Sequence, residues 1–289
     1  MAIPGAAMRS IWERFAVPRQ GLSAELAALF SPLPPGTPIL VHSDLLRIGI
    51  PDGLTEPEAQ CEAWIALLME AAGNRPVLLP TFNYDFPRTR LFDPARDPGQ
   101  IGALSRHCVE HHAALRTRTP IFNFCVFGND DLPLAAEAEP FGPESLFATL
   151  HERNAAILFL GADMIANTFI HYVEERLDIG YRYVKPFPGE IIEDGERRPI
   201  DFRYRVRPRI DGAVAYGDLG RPLLQEAGKL QIAAIGHGTA MMFRARDYVD
   251  LIGGRMQDDE LYVLTPSSRA VIEELYRRHG RPLTLGKME

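Results

Sequence analysis

The chain has 289 residues, of which 46% are hydrophobic and 24% charged, and its formal net charge is −7, as in an ordinary soluble globular protein. The acidic charge argues against a nucleic-acid partner, and no apolar stretch approaches the ~20 residues that span a bilayer. Met1–Pro18 has no long apolar region and the cysteines form no regular pattern, so we expect a cytoplasmic protein without a signal peptide or disulfide framework.

Helical periodicity and apolar runs alternate along the chain. The predicted helices are Ser23–Leu29, Glu56–Ala72, Ile101–Leu115, Glu144–Arg153 and Ser267–His279, the last capped by Ser267 or Ser268. The predicted strands are Pro38–Val41, Val77–Thr81, Ile157–Gly161 and Ile232–Ile235. Nearly continuous apolar runs indicate strands buried on both faces. We therefore predict an α/β fold with a central mixed, largely parallel sheet and helices on both faces.

Residues 185–217 differ from the rest in composition. Prolines and glycines such as Pro186, Gly189 and Gly212 interrupt alternating segments in this region. Such a pattern predicts a β-hairpin-like insertion on the main sheet. No clean boundary divides the chain, so we treat it as one domain carrying this insertion, which is placed to form a wall of the substrate site.

A hydroxyl, an imidazole and a carboxylate share one face of the short helix predicted after Gly161. Thr168, His171 and Glu174 are spaced i, i+3 and i+6, and residues three apart are neighbours on a helix. The mouth of such a strand–turn–helix unit is where open α/β sheets bind ligands. A histidine with a pKa of ~6.5 suits general-base catalysis, and a carboxylate one turn away can orient it. We expect Glu174 to have that role, with Glu175 as the alternative.

The same segment resembles the aminoglycoside 3-N-acetyltransferase family, enzymes that use acetyl-CoA to acylate an amine. The family has a Leu-Gly turn, then a Thr, two apolar residues, a His and a Glu three residues further on, which Leu160-Gly161, Thr168, His171 and Glu174 match. Other matches in the family's order are Val41-His42-Ser43 with Leu45 and Gly49, Leu79-Pro80-Thr81-Phe82, Gly99 with Ile101 and Arg106, Arg116-Thr117 with Thr119-Pro120 and Gly128, and Phe141-Gly142-Pro143-Glu144-Ser145.

The resemblance implies direct acyl transfer in a ternary complex, without an acyl-enzyme. His171 is then the general base, Glu174 orients it, and Thr168 assists at the oxyanion. Acetyl-CoA is the expected co-substrate, with no metal. Its binding residues are expected to be Ser43, Thr81 and Phe82, near strand ends, and Arg106 and Arg116, because arginines bind phosphates through paired hydrogen bonds.

The expected acceptor is an amine of an amino sugar. The chain departs from the family pattern at Ala103, Thr119, Asn123 and Ile165, where the family has Glu, His, Ser and Asp. The loss of polar groups at Ala103, Thr119 and Asn123 favours a nucleotide-linked amino sugar over a polycationic aminoglycoside, which stays the alternative. The sequence leaves the oligomeric state open, a homo-oligomer included.

Two alternative functions of a different kind are a zinc-dependent hydrolase and a non-catalytic ligand-binding protein. His107 and His111 are spaced i, i+4, which can chelate zinc, but no third ligand has a fixed spacing, so a solvated helix face is favoured. Cys125 could act as a nucleophile with His171, yet its apolar neighbours predict an inert core thiol. A Gly-x-Ser-x-Gly elbow is absent, so a serine hydrolase is not supported. His42 is predicted to be a satisfied core histidine.

Overall fold

A six-stranded sheet forms the centre of the computed structural model, which describes residues 14–128 and 131–288. Most of the segment Met1–Pro18 therefore lies outside the described residues. In sheet order the strands are β10 (Gln231–Ile235), β11 (Gly238–Arg244), β7 (Ala156–Leu160), β2 (Ile39–Ser43), β4 (Val77–Pro80) and β6 (Phe124–Phe127). The other strands are β1 (Ala16–Val17), β3 (Ile50–Pro51), β5 (Leu91–Phe92), β8 (Tyr183–Glu193) and β9 (Glu196–Val206).

The sheet is parallel at its centre and antiparallel at both edges. Strands β7, β2 and β4 run parallel, whereas β10, β11 and β6 pair antiparallel with their neighbours. The predicted mixed sheet is confirmed, and its parallel part is confined to these three strands. The edge at β10 is antiparallel because only the tight turn Gly236-His237 separates it from β11, and so short a connection joins antiparallel neighbours.

Helices cover both faces of the sheet, as predicted. A central strand contributes apolar side chains to the core on both faces of the sheet. In β7, Ile157 and Phe159 belong to one hydrophobic cluster, and Leu158 and Leu160 belong to the other. This alternation explains why the strand has no polar positions. The helices are α1 (Arg19–Phe30), α2 (Leu45–Ile48), α3 (Pro57–Ala72), α4 (Phe86–Thr89), α5 (Ala103–His112), α6 (Leu146–Glu152), α7 (Ile170–Arg176), α8 (Arg221–Glu226), α9 (Ala245–Asp258), α10 (Pro266–His279) and α11 (Leu285–Met288).

The two clusters assign the helices to their faces. Residues of α1, α3 and α5 pack in one cluster, and residues of α6, α7, α9 and α10 pack in the other. The cap of α10 differs from the prediction: Thr265 accepts the backbone N–H of Ser268 at 3.3 Å, because Pro266 occupies the first turn. None of the described helices is both long and apolar enough to cross a bilayer.

The predicted insertion contains one long hairpin. Strands β8 and β9 pair antiparallel from Tyr183 opposite Val206 to Glu193 opposite Glu196, with Asp194-Gly195 as the turn. Strand β5 extends this small sheet by pairing parallel with β8. The hairpin starts two residues before the predicted segment and ends at Val206, so the last third of 185–217 is irregular chain. Because β8 follows closely on α7, the hairpin stands next to the helix that carries His171.

Candidate active site

A cavity of about 200 Å³ opens at the carboxyl ends of the three parallel strands. This is the edge at which ligands bind in open α/β sheets. The turn that follows β7 forms part of the cavity wall, and it requires glycine at position 161. The φ of Gly161 is +70°, and a Cβ there would lie 2.4 Å from the carbonyl oxygen of Asp44. The lining residues are Val41, His42, Ser43, Leu79, Pro80, Phe82, Tyr84, Ile101, Leu104, Ser105, Ala162, Ala166 and Thr168.

His171 lies on the first turn of α7, beside the cavity. Its backbone N–H donates to the carbonyl oxygen of Thr168 at 3.1 Å, and its side chain is 24% exposed. Its Nδ1 lies 2.8 Å from Oε2 of Glu174. A carboxylate can only accept, so Nδ1 carries the hydrogen and Nε2 keeps the lone pair. The neutral ring is therefore fixed in the tautomer that can accept a proton at Nε2.

Glu174 is the centre of a buried polar network. Its side chain is 1% exposed, and its Oε1 accepts hydrogen bonds from the hydroxyls of Tyr181 and Tyr216, each at 2.6 Å. Nε of Arg182 lies 3.0 Å from its Oε2. Burial by itself raises the pKa of Glu174, but the Arg182 charge, with His171 and Tyr181, outweighs burial and lowers the pKa to about 2. The carboxylate is thus charged at every physiological pH.

The surroundings keep His171 neutral. Burial lowers its pKa below the ordinary 6.5, and the hydrogen bond and charge of Glu174 oppose only part of that shift. Aromatic rings enclose the imidazole: Phe141 at 5.3 Å, Tyr216 at 6.1 Å and Phe122 at 6.3 Å between ring centroids. A neutral imidazole at pH 7 is available as a base without prior deprotonation.

The alternative carboxylate, Glu175, faces another partner. Its Oε2 pairs with Nε of Arg205 at 3.2 Å, and its side chain is 29% exposed. Burial raises the pKa of Glu175, only partly offset by Arg205. Among the described residues, Glu174 is the carboxylate that contacts the His171 ring.

The predicted substrate-binding residues separate into two groups. Ser43, Phe82 and Thr168 come together in the cavity wall, although they are far apart in sequence. The hydroxyl of Thr168 donates only a long 3.5 Å hydrogen bond to the carbonyl of Ala166. Arg106 is exposed on α5 and is not among the lining residues.

Thr81 and Arg116 are internal, outside the cavity wall. Arg116 is 3% exposed, and its guanidinium donates to the carbonyls of Thr81, Pro94 and Asp97 and to Oδ1 of Asn123. The Thr81 hydroxyl donates to the same Oδ1 at 2.8 Å. In this structure Arg116 joins the end of β4 to the loop before α5, so its donors are directed at the protein and not at a phosphate.

His42 differs from the prediction of a satisfied core histidine. It is 6% exposed and stacks on Phe159 at 5.0 Å, as a core residue would. However, its Nε2 has no hydrogen-bond partner among the described residues, and it lines the cavity. Burial lowers its pKa to about 4, so the ring is neutral. Ser105 is a second lining residue whose buried hydroxyl lacks a partner there.

Sequence reasoning missed Tyr181, Arg182 and Tyr216, which hold Glu174. Arg182 is 7% exposed, and its guanidinium donates to the Tyr216 hydroxyl at 2.6 Å. The first two residues lie just after α7, but Tyr216 is 42 positions from Glu174. The available signal was the cluster Tyr181-Arg182-Tyr183 directly after the helix, in which a charge stands between aromatic residues.

Two rival readings are corrected by burial. Cys125 is fully buried in the hydrophobic cluster of α1, α3 and α5, on the face of the sheet opposite the helix of His171, so the two cannot form a nucleophile–base pair. His107 is only 4% exposed, which contradicts the predicted solvated helix face. It packs between α5 and α3, where Glu62 and His112 are its polar neighbours.

These features define a class of protein. The fold is α/β, with a cavity at the ends of its parallel strands that includes Thr168, three residues before a histidine whose Nδ1 is held by a buried carboxylate. Such a histidine is suited to general-base group transfer to a nucleophile. The family model for aminoglycoside 3-N-acetyltransferase matches residues 40–257. The chain therefore belongs to the aminoglycoside 3-N-acetyltransferase family, and the predicted N-acetyltransferase class is confirmed.

Individual relatives agree with this assignment. The chain is 29% identical over 269 residues to aminoglycoside N(3)-acetyltransferase VII of Streptomyces paromomycinus, covering 81% of this chain and 89% of that one. It resembles the apoenzyme structure of aminoglycoside acetyltransferase AAC(3)-IVa with a TM-score of 0.62 and 25% identity, over 86% of this chain and 96% of that chain. A CoASH complex of AAC-IIIb has the same fold, with a TM-score of 0.66 and 21% identity over 87% and 99% of the two chains.

Proposed function

We propose that the protein transfers the acetyl group of acetyl-CoA to an amine of an aminoglycoside-type amino sugar, with His171 as general base. The contact that carries this proposal is the 2.8 Å pair between His171 Nδ1 and Glu174 Oε2. It fixes the tautomer that leaves Nε2 free to take a proton. Glu174, with its pKa of about 2, stabilises the imidazolium that forms.

The reaction follows from these roles. The acceptor nitrogen attacks the thioester carbonyl while Nε2 of His171 takes its proton. The developing oxyanion accepts a hydrogen bond from the Thr168 hydroxyl, which gives up only its long 3.5 Å bond to the carbonyl of Ala166. The C–S bond then breaks, the sulfur of CoA takes the proton from His171, and the N-acetylated sugar and CoA leave.

Acetyl-CoA is assigned to the cavity at the ends of the parallel strands. Phe82 and Leu104 give it apolar walls, and the unpaired His42 Nε2 and Ser105 Oγ can hydrogen-bond the amides of pantetheine. Thr168 lies at the end nearest His171. The related AAC-IIIb was solved with CoASH, which supports the same co-substrate here.

The acceptor is assigned to two neighbouring cavities whose linings contain several glutamates. Glu137, Glu139 and Glu144 line a cavity of about 470 Å³. Glu139 also borders a smaller cavity that reaches Glu175 and Phe141, and the Phe141 ring contacts His171. Such glutamates attract an acceptor with several ammonium groups, but burial raises the pKa of Glu137 to about 7 and Glu139 is paired with Arg203, which reduces the negative charge. Related structures of AAC(3)-IVa hold a gentamicin and apramycin, which supports this class.

Two of the three positions that suggested a different acceptor lie inside the protein, and the third, Ala103, is exposed at the start of α5. Asn123 is fully buried, and its Oδ1 accepts from Thr81 and Arg116 while its Nδ2 donates to the carbonyl of Thr119. Thr119 is itself 2% exposed. Both departures are therefore internal, and Thr119 also hydrogen-bonds Glu137 of the proposed acceptor cavity.

The test is a CoA-release assay with acetyl-CoA and a panel of aminoglycosides and nucleotide-linked amino sugars. His171→Asn should lower kcat by ~10²–10⁴-fold with little change in acetyl-CoA affinity. Raising the pH should restore part of the rate, because more of the acceptor amine is then already deprotonated. His279→Asn, at the exposed end of α10, is the matched control. Near-normal turnover by His171→Asn at pH 7 would mean that another residue is the general base. Turnover with nucleotide-linked amino sugars alone would contradict the proposal of an aminoglycoside-type acceptor.

A further inference from the structure

Two histidines and a carboxylate meet between α3 and α5, outside the proposed active site. Glu62 comes from α3, and His107 and His112 come from α5. Each offers one donor atom, and these atoms all lie within 4.8 Å of one another. The His107 side chain is 5% exposed, whereas those of His112 and Glu62 are 25% and 52% exposed. The cluster thus has a buried side and an opening to solvent.

The imidazole ring of His107 is buried, and its two nitrogen atoms lack hydrogen-bond partners among the described residues. A buried polar group without a partner is costly, and native proteins rarely keep one without a reason. A ring nitrogen that has no hydrogen-bond partner is free to bind a metal ion, and neutral imidazole is the commonest metal ligand in proteins.

The separations suit a tetrahedral ion. Nε2 of His112 lies 3.1 Å from Oε1 of Glu62, and Nε2 of His107 lies 3.7 Å from the same oxygen. Donors bound at ~2.0–2.1 Å to a tetrahedral zinc ion are about 3.4 Å apart. The observed pairs lie on either side of that value, so small side-chain rotations would complete the site.

The fold explains why the sequence pattern concealed this site. The i, i+4 spacing suggested His107 and His111 as a chelating pair, but the His111 ring is tilted by 34° against the His107 ring, with 4.4 Å between their centroids. His112 ends α5 with φ −129° and ψ 26°, and this departure from helical geometry turns its ring towards Glu62. The third ligand, absent from the motif, comes from α3. Cys61, the neighbour of Glu62 on α3, is buried and does not belong to this donor set, so the donors are oxygen and nitrogen.

We propose that Glu62, His107 and His112 bind a zinc ion that joins α3 to α5, with water as the fourth ligand. Two imidazoles and one carboxylate match the ligand preference of Zn²⁺. The site is structural and does not require the zinc-dependent hydrolase reading. The zinc site is connected to the proposed acetyl-CoA cavity through α5, because Leu104 and Ser105 on the first turn of this helix line that cavity. The proposal departs from the expectation of a metal-free protein.

The test uses the full chain, stripped of metal by dialysis against a chelator. Calorimetric titration with ZnCl₂ should show one site per chain, and thermal unfolding should shift to higher temperature with zinc. Glu62→Gln and His112→Gln should each weaken zinc binding by more than about 10-fold, the least effect expected for a supporting group. Glu62 is more than half exposed, so Glu62→Gln avoids the folding risk of changing the buried His107.

His111→Gln is the matched control, because this residue belongs to the same helix turn but not to the donor set. It should retain wild-type zinc affinity. Substitution with Co²⁺ should give the visible bands of a tetrahedral site without a thiolate charge-transfer band. No binding at millimolar zinc, equal affinity in Glu62→Gln, or a thiolate band from Cys61 would each overturn the assignment.

Discussion

The network around Glu174 can be tested by removing its charge while keeping its shape. Glu174→Gln leaves an acceptor for the tyrosines Tyr181 and Tyr216 but deprives Arg182 of its buried counter-charge. The neighbouring Glu175→Gln is the matched control, because it changes the same atoms one residue along the same helix. We expect the two variants to differ in both stability and turnover.

The magnitude follows from the pKa of Glu174. The difference between the ordinary 4.5 and about 2 corresponds to about 3 kcal/mol of native-state stabilisation, because one pKa unit is about 1.4 kcal/mol. Since the folded pKa is the lower one, this contribution is complete above pH 4.5 and is lost as the pH falls towards 2. Losing it at pH 7 should lower Tm by about 5–10 °C in a chain of this size.

Turnover should fall as well, because the Glu174→Gln side chain no longer stabilises an imidazolium at His171. The loss should be smaller than the ~10²–10⁴-fold expected for removal of the base itself. Glu175→Gln should change Tm little, since its carboxylate is partly exposed and pairs with Arg205. Because Glu175 borders the proposed acceptor cavity, this variant should raise the KM for the acceptor while kcat at saturating acceptor changes little. Thermal unfolding and steady-state kinetics at pH 7 measure both effects. A larger loss of kcat in Glu175→Gln, or an unchanged Tm in Glu174→Gln, would refute the assigned network.

Two further predictions concern the base and the buried thiol. Because burial lowers the pKa of His171, the imidazole of the free protein should take up a proton only below pH 6.5 in an NMR titration, and protonation that begins above that pH would contradict a neutral resting base. Cys125→Ser should lower stability in urea unfolding by ~1–3 kcal/mol yet leave the kcat of folded protein near that of the unchanged chain. An acyl adduct on Cys125 in mass spectra would instead indicate a covalent mechanism.

The spacing of residues along the chain predicted the part of the candidate site that lies on α7. The i, i+3 spacing of His171 and Glu174 was enough to pair them, because helix geometry fixes neighbours three residues apart. The three parallel strands were also predicted within about two residues of their ends, since apolar runs bounded by Gly or Pro mark buried strands. Strand β11 was missed because Gly238 and Thr239 at its start read as part of a turn.

The roles of two arginines depend on contacts between residues that are far apart in the sequence, so the sequence alone could not predict them. Arg116 and Arg182 are both arginines close to motif residues, and only the fold distinguishes them. Arg116 is surrounded by carbonyl oxygens of the loop before α5, and Arg182 lies against Glu174. Burial is unfavourable for either guanidinium, which is why each has acceptors that come from distant segments. Neither set of partners can be inferred from spacing along the chain.

The arrangement around His171 also bears on how the two substrates meet. The proposed acetyl-CoA cavity includes Thr168, three residues before His171, and the proposed acceptor cavity includes Phe141, whose ring lies 5.3 Å from that of His171 between centroids. Cys125, the thiol considered as an alternative nucleophile, is sealed in the opposite hydrophobic cluster. An acyl group on that thiol would have to cross the sheet to reach His171. Direct attack needs only that the acceptor nitrogen and the thioester approach Nε2 from their own cavities, so the geometry favours a single ternary complex over two half-reactions.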